Sequence, residues 1–138
     1  MALVVLSGGA AQGLVGRLAA AFKTETGLEV DGTFGAVGAI KARLLGGAPA
    51  DLVVLTRGLI GELERDGHVA AASAVDIGVV RTGIAVKSGT PMPAVATAAG
   101  LRAALKAADG IYLPDPRLAT AGIHFAKVLD QLGIRDAV

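Results

Sequence analysis

The sequence predicts an α/β fold with a mostly parallel sheet flanked by helices. Short apolar runs at residues 3–6 and 52–55 contain paired valines and have the length of buried strands. Amphipathic segments of helical length alternate with these runs, and such alternation is typical of parallel sheets. The 138 residues, 53 % of them hydrophobic, are enough for a globular domain with a core of ordinary size.

The first part of the chain is predicted to form three consecutive strand–helix units. The strands are expected at 3–6, 28–34 and 52–55, and the helices at 10–26, around 40–45 and at 59–65. Gly27 and the pair Gly46-Gly47 follow the first two helices, and glycine tolerates the left-handed conformation that often ends a helix. Thr56 precedes the third helix and belongs to the residue types that cap helices.

The rest of the chain is predicted to continue this alternation after a connector at 69–74. Strands are expected at 77–80, 84–86 and 111–113, with a turn at 88–91. Thr97 fits the N-cap of a helix at 98–107, and a last helix is expected at 121–132, ending before Gly133.

Composition excludes several classes of protein. The formal net charge is +1 and aromatic residues make up 3 %, which argues against nucleic-acid binding. The chain has no cysteine and only two distant histidines, so we expect no disulfide, no metal site and no cofactor. No apolar run reaches the roughly 18 residues of a membrane-spanning helix, so we expect a protein that is not membrane-embedded. The first six residues do not resemble a secretory signal.

Small residues occupy three predicted junctions between a strand and a helix. These junctions are Ser7–Ala11, Phe34–Gly38 and the stretch from Pro116 to Gly122. A helix N-terminus presents unpaired backbone N–H groups and a partial positive charge, so three converging termini would bind an oxyanion. Ordinary strand-to-helix turns have the same pattern, and spacing alone leaves both interpretations open. No nucleotide-binding glycine motif is present.

An enzyme with a serine nucleophile is the third interpretation. Ser7, His124 and Asp115 are the candidate residues, but no GxSxG motif surrounds Ser7. Asp51 is expected to bond nearby amides at the start of a strand rather than to act as a general base. The sequence therefore predicts a protein that is not an enzyme.

Four segments carry a family resemblance. Residues 6–11 (LSGGAA), 33–38 (TFGAVG), 47–54 (GAPADLVV) and 121–123 (AGI) stand in the order found in molybdate-binding proteins. These are the periplasmic substrate-binding components of molybdate ABC transporters, within the type II periplasmic binding-protein superfamily. The resemblance implies a type II binding-protein fold in which residues 1–80 form the β-α-β-α-β-α half of a first lobe. Residues 81–138 would form an incomplete second lobe.

The resemblance also implies a ligand and a set of site residues. A small, molybdate-like oxyanion would be held by backbone N–H groups and hydroxyls at helix N-termini. The ligand-binding residues so predicted are Ser7, Ala10, Ala11, Val37, Gly38, Thr56, Ala121 and Gly122. Ala10 stands where the family has a ligating serine, and the second serine position falls among residues 36–38. Ser7 and Thr56 are the hydroxyls that would compensate.

Partners and location follow from the same resemblance. An exported protein whose signal has been removed would lie in the periplasm and deliver its ligand to an ABC permease; otherwise the protein would be cytoplasmic. An incomplete second lobe would leave apolar helix faces and strand edges uncovered, so we expect either a homo-oligomer or an ordered fragment of a longer protein. The alternative function is a degenerate fragment that acts as a self-associating structural module. A small hydrolase or isomerase using Ser7 and His124 ranks third.

Overall fold

A computed structural model describes all 138 residues. The chain forms two compact units, Met1–Val80 and Arg81–Val138. The assignment of these units to the lobes of a binding protein stays a prediction. No helix combines the length and the apolar character that crossing a membrane requires.

The first unit contains the three predicted strand–helix units. Its elements are β1 (Ala2–Gly8), α1 (Gln12–Thr26), β2 (Glu29–Gly35), α2 (Val37–Leu45), β3 (Leu52–Val54) and α3 (Arg57–Arg65). A single 3₁₀ turn, Gly9–Ala11, joins β1 to α1. The predicted order of these six elements is confirmed.

The three strands form a parallel sheet in the order β2-β1-β3. The central strand β1 pairs with β2 on one side and with β3 on the other, and its residues Val5 and Leu6 are buried. Asp51 extends the β1–β3 pairing, because its N–H donates to the Val4 carbonyl at 2.9 Å and its carboxylate accepts from the Val4 N–H at 2.8 Å. The predicted role of Asp51 in bonding amides at the start of a strand is confirmed.

Helices cover both faces of this sheet. Residues of α1 share a shallow groove with Val30, Gly32 and Phe34 of β2. Gly35, the next residue of β2, faces the buried side chain of Ile40 in α2. Since successive strand residues point to opposite faces, α1 and α2 lie on opposite sides of the sheet. The predicted arrangement of a parallel sheet flanked by helices is confirmed.

Local sequence signals place most helix ends correctly. Gly27 and Gly133 follow α1 and the last helix in the left-handed conformation, with φ of 75° and 64°. The Thr97 side chain accepts a hydrogen bond from the Gly100 N–H at 3.1 Å, as predicted for an N-cap. Thr56 does occupy the N-cap position of α3, but its side chain accepts no bond from the first turn.

The second unit contains the two predicted helices α4 (Ala98–Ala107) and α5 (Thr120–Leu132). The buried side chains of Leu105, Leu129 and Ile134 pack together to form its core. Leu101 and Phe125 are partly buried against this core. The predictions for both helices hold to within one residue.

The strands predicted at 77–80, 84–86 and 111–113 are wrong, because these segments are irregular in the structure. A strand is stable only when its backbone groups pair with a neighbouring strand, and none of the three segments has such a partner. Val79 is 89 % exposed, so the apolar run that suggested a buried strand here is not buried.

Candidate functional site

The carboxyl ends of the three strands meet at one edge of the sheet. Gly8 at the end of β1 is in register with Gly35 at the end of β2, and Ser7 is in register with Val54 of β3. Helices α1, α2 and α3 all begin within a few residues of these ends. We term these strand ends and the helix starts that follow them the carboxyl edge. Ligands of open parallel sheets bind at this edge.

Six of the eight predicted site residues lie at the carboxyl edge. They are Ser7, Ala10, Ala11, Val37, Gly38 and Thr56. Ala121 and Gly122 belong to the first turn of α5 in the second unit.

Small residues let the strand ends and helix starts approach each other closely. A Cβ added to Gly8 would lie 2.8 Å from Cγ1 of Val37 and 3.7 Å from the carbonyl oxygen of Val54. Gly9 has more room, since its nearest neighbour would be the Gly35 carbonyl oxygen at 3.7 Å. Gly8 is therefore a packing position, whereas a Cβ at Gly9 would make only an ordinary van der Waals contact.

Helices α1, α2 and α3 share an electrostatic feature at the carboxyl edge. None of them has a side-chain cap, and none has an acidic residue in its first turn. The first N–H groups of a helix have no acceptor four residues earlier and can donate outward, although in α1 the Gln12 N–H donates to the Gly9 carbonyl oxygen. The carboxyl edge therefore presents backbone donors and the positive ends of three helix dipoles, with no carboxylate in the first turns of these helices.

The two predicted hydroxyls differ in availability. Ser7 is fully buried, and its hydroxyl donates to the Gly8 carbonyl oxygen at 3.0 Å. Thr56 is exposed, and its hydroxyl makes no hydrogen bond within the chain. Thr56 is thus the hydroxyl at this edge that can reach a solute without rearrangement.

Arg57 is a charged residue of the carboxyl edge that the sequence analysis did not include. It is the first residue of α3, its side chain is 82 % exposed, and it forms an ion pair with Asp76. A cation is disfavoured at the start of a helix by the helix dipole. That unfavourable placement directly after a predicted strand was the signal available in the sequence.

The loop that precedes α5 forms a turn at residues 115–118 and packs against the first turn of the helix. The Asp115 carboxylate accepts hydrogen bonds from the N–H groups of Arg117 at 2.7 Å and Leu118 at 3.0 Å, which lowers the pKa of Asp115. Gly122 is buried, and a Cβ there would come within 3.0 Å of the carbonyl oxygens of Pro114 and Asp115. Asp115 and Gly122 therefore have structural roles in forming this turn.

His124 lies on α5 and lines a shallow groove in the second unit. The groove measures about 400 Å³ and is otherwise mostly apolar, with Ile84, Met92 and Phe125 among its lining residues. The histidine and the carboxylates do not form a cluster of three or more that could hold a metal ion.

Comparison with known families decides the class of protein. A family model described as bacterial extracellular solute-binding protein matches residues 3–138. The chain belongs to this family. The prediction of a substrate-binding protein with a partial binding-protein fold is thereby confirmed at the level of the family, and the family supports a small solute as the ligand.

One curated relative of this solute-binding protein is an aconitate isomerase from a Pseudomonas species. The two are 29 % identical over 132 residues, which cover 92 % of this chain and 49 % of the relative. This solute-binding protein therefore spans about half the length of that relative. The relative's name indicates a ligand other than molybdate and an enzymatic activity for that protein.

Proposed function

We propose that this solute-binding protein captures a small anionic solute at the carboxyl edge. The observation that supports this proposal is the convergence of three helix N-termini without side-chain caps or acidic residues. Solute binding is the general property of its family.

The proposed contacts are backbone donors and one hydroxyl. Each helix start contributes about half a positive charge, and a hydrogen bond to a charged group contributes about 1.5–3 kcal/mol. The N–H groups of Ala10, Val37 and Gly38 and the Thr56 hydroxyl are the proposed donors, with Ala11 lining the site. Ser7 is buried, and its hydroxyl, which donates to the Gly8 carbonyl oxygen, is proposed to hold the end of β1 in place. For Ala121 and Gly122, in the first turn of α5, ligand binding stays a prediction.

Two classes of anion fit this chemistry. The sequence resemblance suggests a molybdate-like oxyanion, whereas the relative's name suggests aconitate, a tricarboxylate. Both present negatively charged oxygen atoms to N–H donors, so the carboxyl edge suits either class.

Thermal unfolding in the presence of single anions tests the proposal. The panel is molybdate, tungstate, sulfate, phosphate, cis- and trans-aconitate and citrate, each at about 1 mM and constant ionic strength. A ligand with a Kd near 1 μM stabilises the folded state by about 4 kcal/mol. That raises Tm by roughly 10 °C or more for a domain of this size. A panel in which no anion changes Tm would contradict the proposal.

A pair of variants locates the site. Ala10 and Ala20 are both exposed, the first at the carboxyl edge and the second in the middle of α1. We expect Ala10→Glu to abolish the Tm shift, because its carboxylate repels the anion, and Ala20→Glu to keep it. An unchanged shift in Ala10→Glu would place binding elsewhere.

Delivery to an ABC permease in the periplasm is the proposed biological setting. It is supported by the extracellular solute-binding family. The expected result is that this protein, with its anion bound, stimulates the ATPase activity of a candidate ABC permease reconstituted in proteoliposomes. No stimulation by any anion that binds would contradict a transport role.

An isomerase is the second candidate, favoured by the relative's name. The candidate residues are Ser7 and His124, but Ser7 is fully buried and its hydroxyl is already bonded to the Gly8 carbonyl. Incubation with cis-aconitate followed by NMR detects any conversion to the trans isomer. Activity that His124→Ala abolishes while the fold persists would support this candidate; no conversion would exclude it.

Self-association is the third candidate, favoured by exposed apolar side chains. Leu14 and Leu18 lie one turn apart on α1 and are exposed, as is Leu52 on β3. Sedimentation velocity measures the oligomeric state. We expect a dimer that Leu18→Glu dissociates; a monomer at about 100 μM would contradict this candidate.

A further inference from the structure

We propose that Arg57 is the charged residue that recognises the anion at the carboxyl edge and that Asp76 competes with the anion for it. This inference rests on the proposed function and adds a specificity-determining residue and its regulation. The observation behind it is the Arg57–Asp76 ion pair at the first residue of α3.

Arg57 is the only basic residue among the three strand–helix junctions. Residues 7–12, 35–38 and 55–58 contain no other lysine, arginine or histidine and no acidic residue. The nearest basic residue of α2, Lys41, is already paired with Glu62 of α3 at 2.6 Å. Within these three junctions, an anion therefore has Arg57 as its one cationic partner.

Asp76 is brought to Arg57 by a connector that folds back along α3. The N–H of His68 donates to the Leu63 carbonyl at 2.8 Å, and the N–H of Ala72 donates to the Glu64 carboxylate at 2.6 Å. Ala72 has φ of 59°, a conformation disfavoured for residues other than glycine. Contacts to α3 hold the connector in this conformation and thereby place the Asp76 carboxylate beside the Arg57 guanidinium.

A bound anion can replace Asp76 as the partner of Arg57 at little cost. Both side chains are exposed, at 82 % for Arg57 and 63 % for Asp76, and exposed ion pairs contribute little to stability. A guanidinium binds a carboxylate or phosphate through two parallel hydrogen bonds. An incoming anion with such a group can therefore replace Asp76 on Arg57 without leaving a buried charge unpaired.

Binding measurements on four proteins test the inference. Isothermal titration calorimetry with trans-aconitate and with molybdate, at constant ionic strength, compares the wild type with Arg57→Gln, Asp76→Asn and the double variant. We expect Arg57→Gln to weaken binding about tenfold or more. We expect Asp76→Asn to strengthen binding by up to about fivefold, the most that an exposed ion pair can supply.

The double variant separates a specific role from a general effect of charge. If Asp76 acts through Arg57, then Asp76→Asn has no effect on affinity in the Arg57→Gln background. Arg43→Gln and Asp66→Asn make the same changes in net charge at the far ends of α2 and α3, and we expect each to bind as the wild type does.

The outcomes distinguish this inference from the proposed function. Binding by the wild type with an unchanged Kd in Arg57→Gln would overturn the inference alone. An Asp76→Asn effect that persists in the double variant would also overturn it. Failure of the wild type to bind any anion of the full panel would overturn the proposed function, and the inference with it.

Discussion

Replacing Gly122 by alanine is expected to destabilise the second unit, although alanine is normally the better helix former. In an unobstructed helix interior, the change from glycine to alanine stabilises by about 0.5–1 kcal/mol. At Gly122 the added methyl group would lie within 3.0 Å of two backbone carbonyl oxygens, those of Pro114 and Asp115. Real Cβ atoms almost never approach other atoms so closely, so the turn before α5 must move.

The size of the effect follows from these opposing terms. Overpacking costs typically about 1–3 kcal/mol, and here backbone rather than a flexible side chain must shift. We therefore expect a net loss of about 2 kcal/mol in the free energy of unfolding. Gly61 in the middle of α3 is the matched control, because a Cβ there meets nothing within 4 Å. Gly61→Ala is expected to gain about 0.5–1 kcal/mol.

Urea unfolding followed by circular dichroism at 222 nm measures both changes. Thermal unfolding is expected to show a lower Tm for Gly122→Ala and a higher Tm for Gly61→Ala, about 10 °C apart in total. Equal stabilisation by the two substitutions would refute the packing argument at α5.

Three further predictions concern a buried core side chain, a helix cap and a carboxylate that accepts backbone hydrogen bonds. Leu63→Ala should lower the free energy of unfolding by about 2–5 kcal/mol, since this side chain is completely buried; urea titration measures the loss, and less than 1 kcal/mol would contradict it. Thr97→Ala should lower the free energy of unfolding by about 1 kcal/mol, because it removes the acceptor of the Gly100 N–H, whereas Thr97→Ser should keep most of this stabilisation. The lowered pKa of Asp115 means that its stabilisation is present above its ordinary value of 3.8 and is lost as pH falls through the folded-state value. Unfolding of Asp115→Asn and the wild type between pH 3 and 7 should therefore show a stability difference that shrinks below pH 3.8; a constant difference would contradict this assignment.

Helices could be predicted from the sequence because their signals are local. Gly27 and Gly133 end helices through their own backbone conformation, and Thr97 caps a helix through an N–H three residues away. Strands depend on partners distant in the chain. The run at 77–80 has the composition of a strand, but composition does not provide a neighbour with which to pair.

The candidate site shows the same division between local and distant information. Convergence of the junctions after β1 and β2 was predicted, because parallel strands end at one edge of the sheet. The third predicted junction, at 116–122, follows no strand and belongs to the second unit, whereas the junction after β3 was not among the three predicted. The Arg57–Asp76 pair was not, since the two residues are 19 positions apart and meet only because the connector folds back along α3. Charge pairs of this kind depend on the path of the chain rather than on any motif.

Glycines near helix starts have two physical roles that the sequence alone does not separate. Gly100 and Gly122 occupy the third position of α4 and α5, and in both cases a Cβ would collide with carbonyl oxygens of the preceding loop. Their lack of a side chain is required by packing whether or not a solute binds.

Gly9, where a Cβ would be 3.7 Å from its nearest neighbour, has no such requirement. Substitution at Gly122 therefore tests folding first, whereas a bulky residue at Gly9 would lie at the carboxyl edge, where we propose that the anion binds. For this reason loss of binding in Gly9→Leu with normal stability would be direct support for the carboxyl edge, and retained binding would count against it.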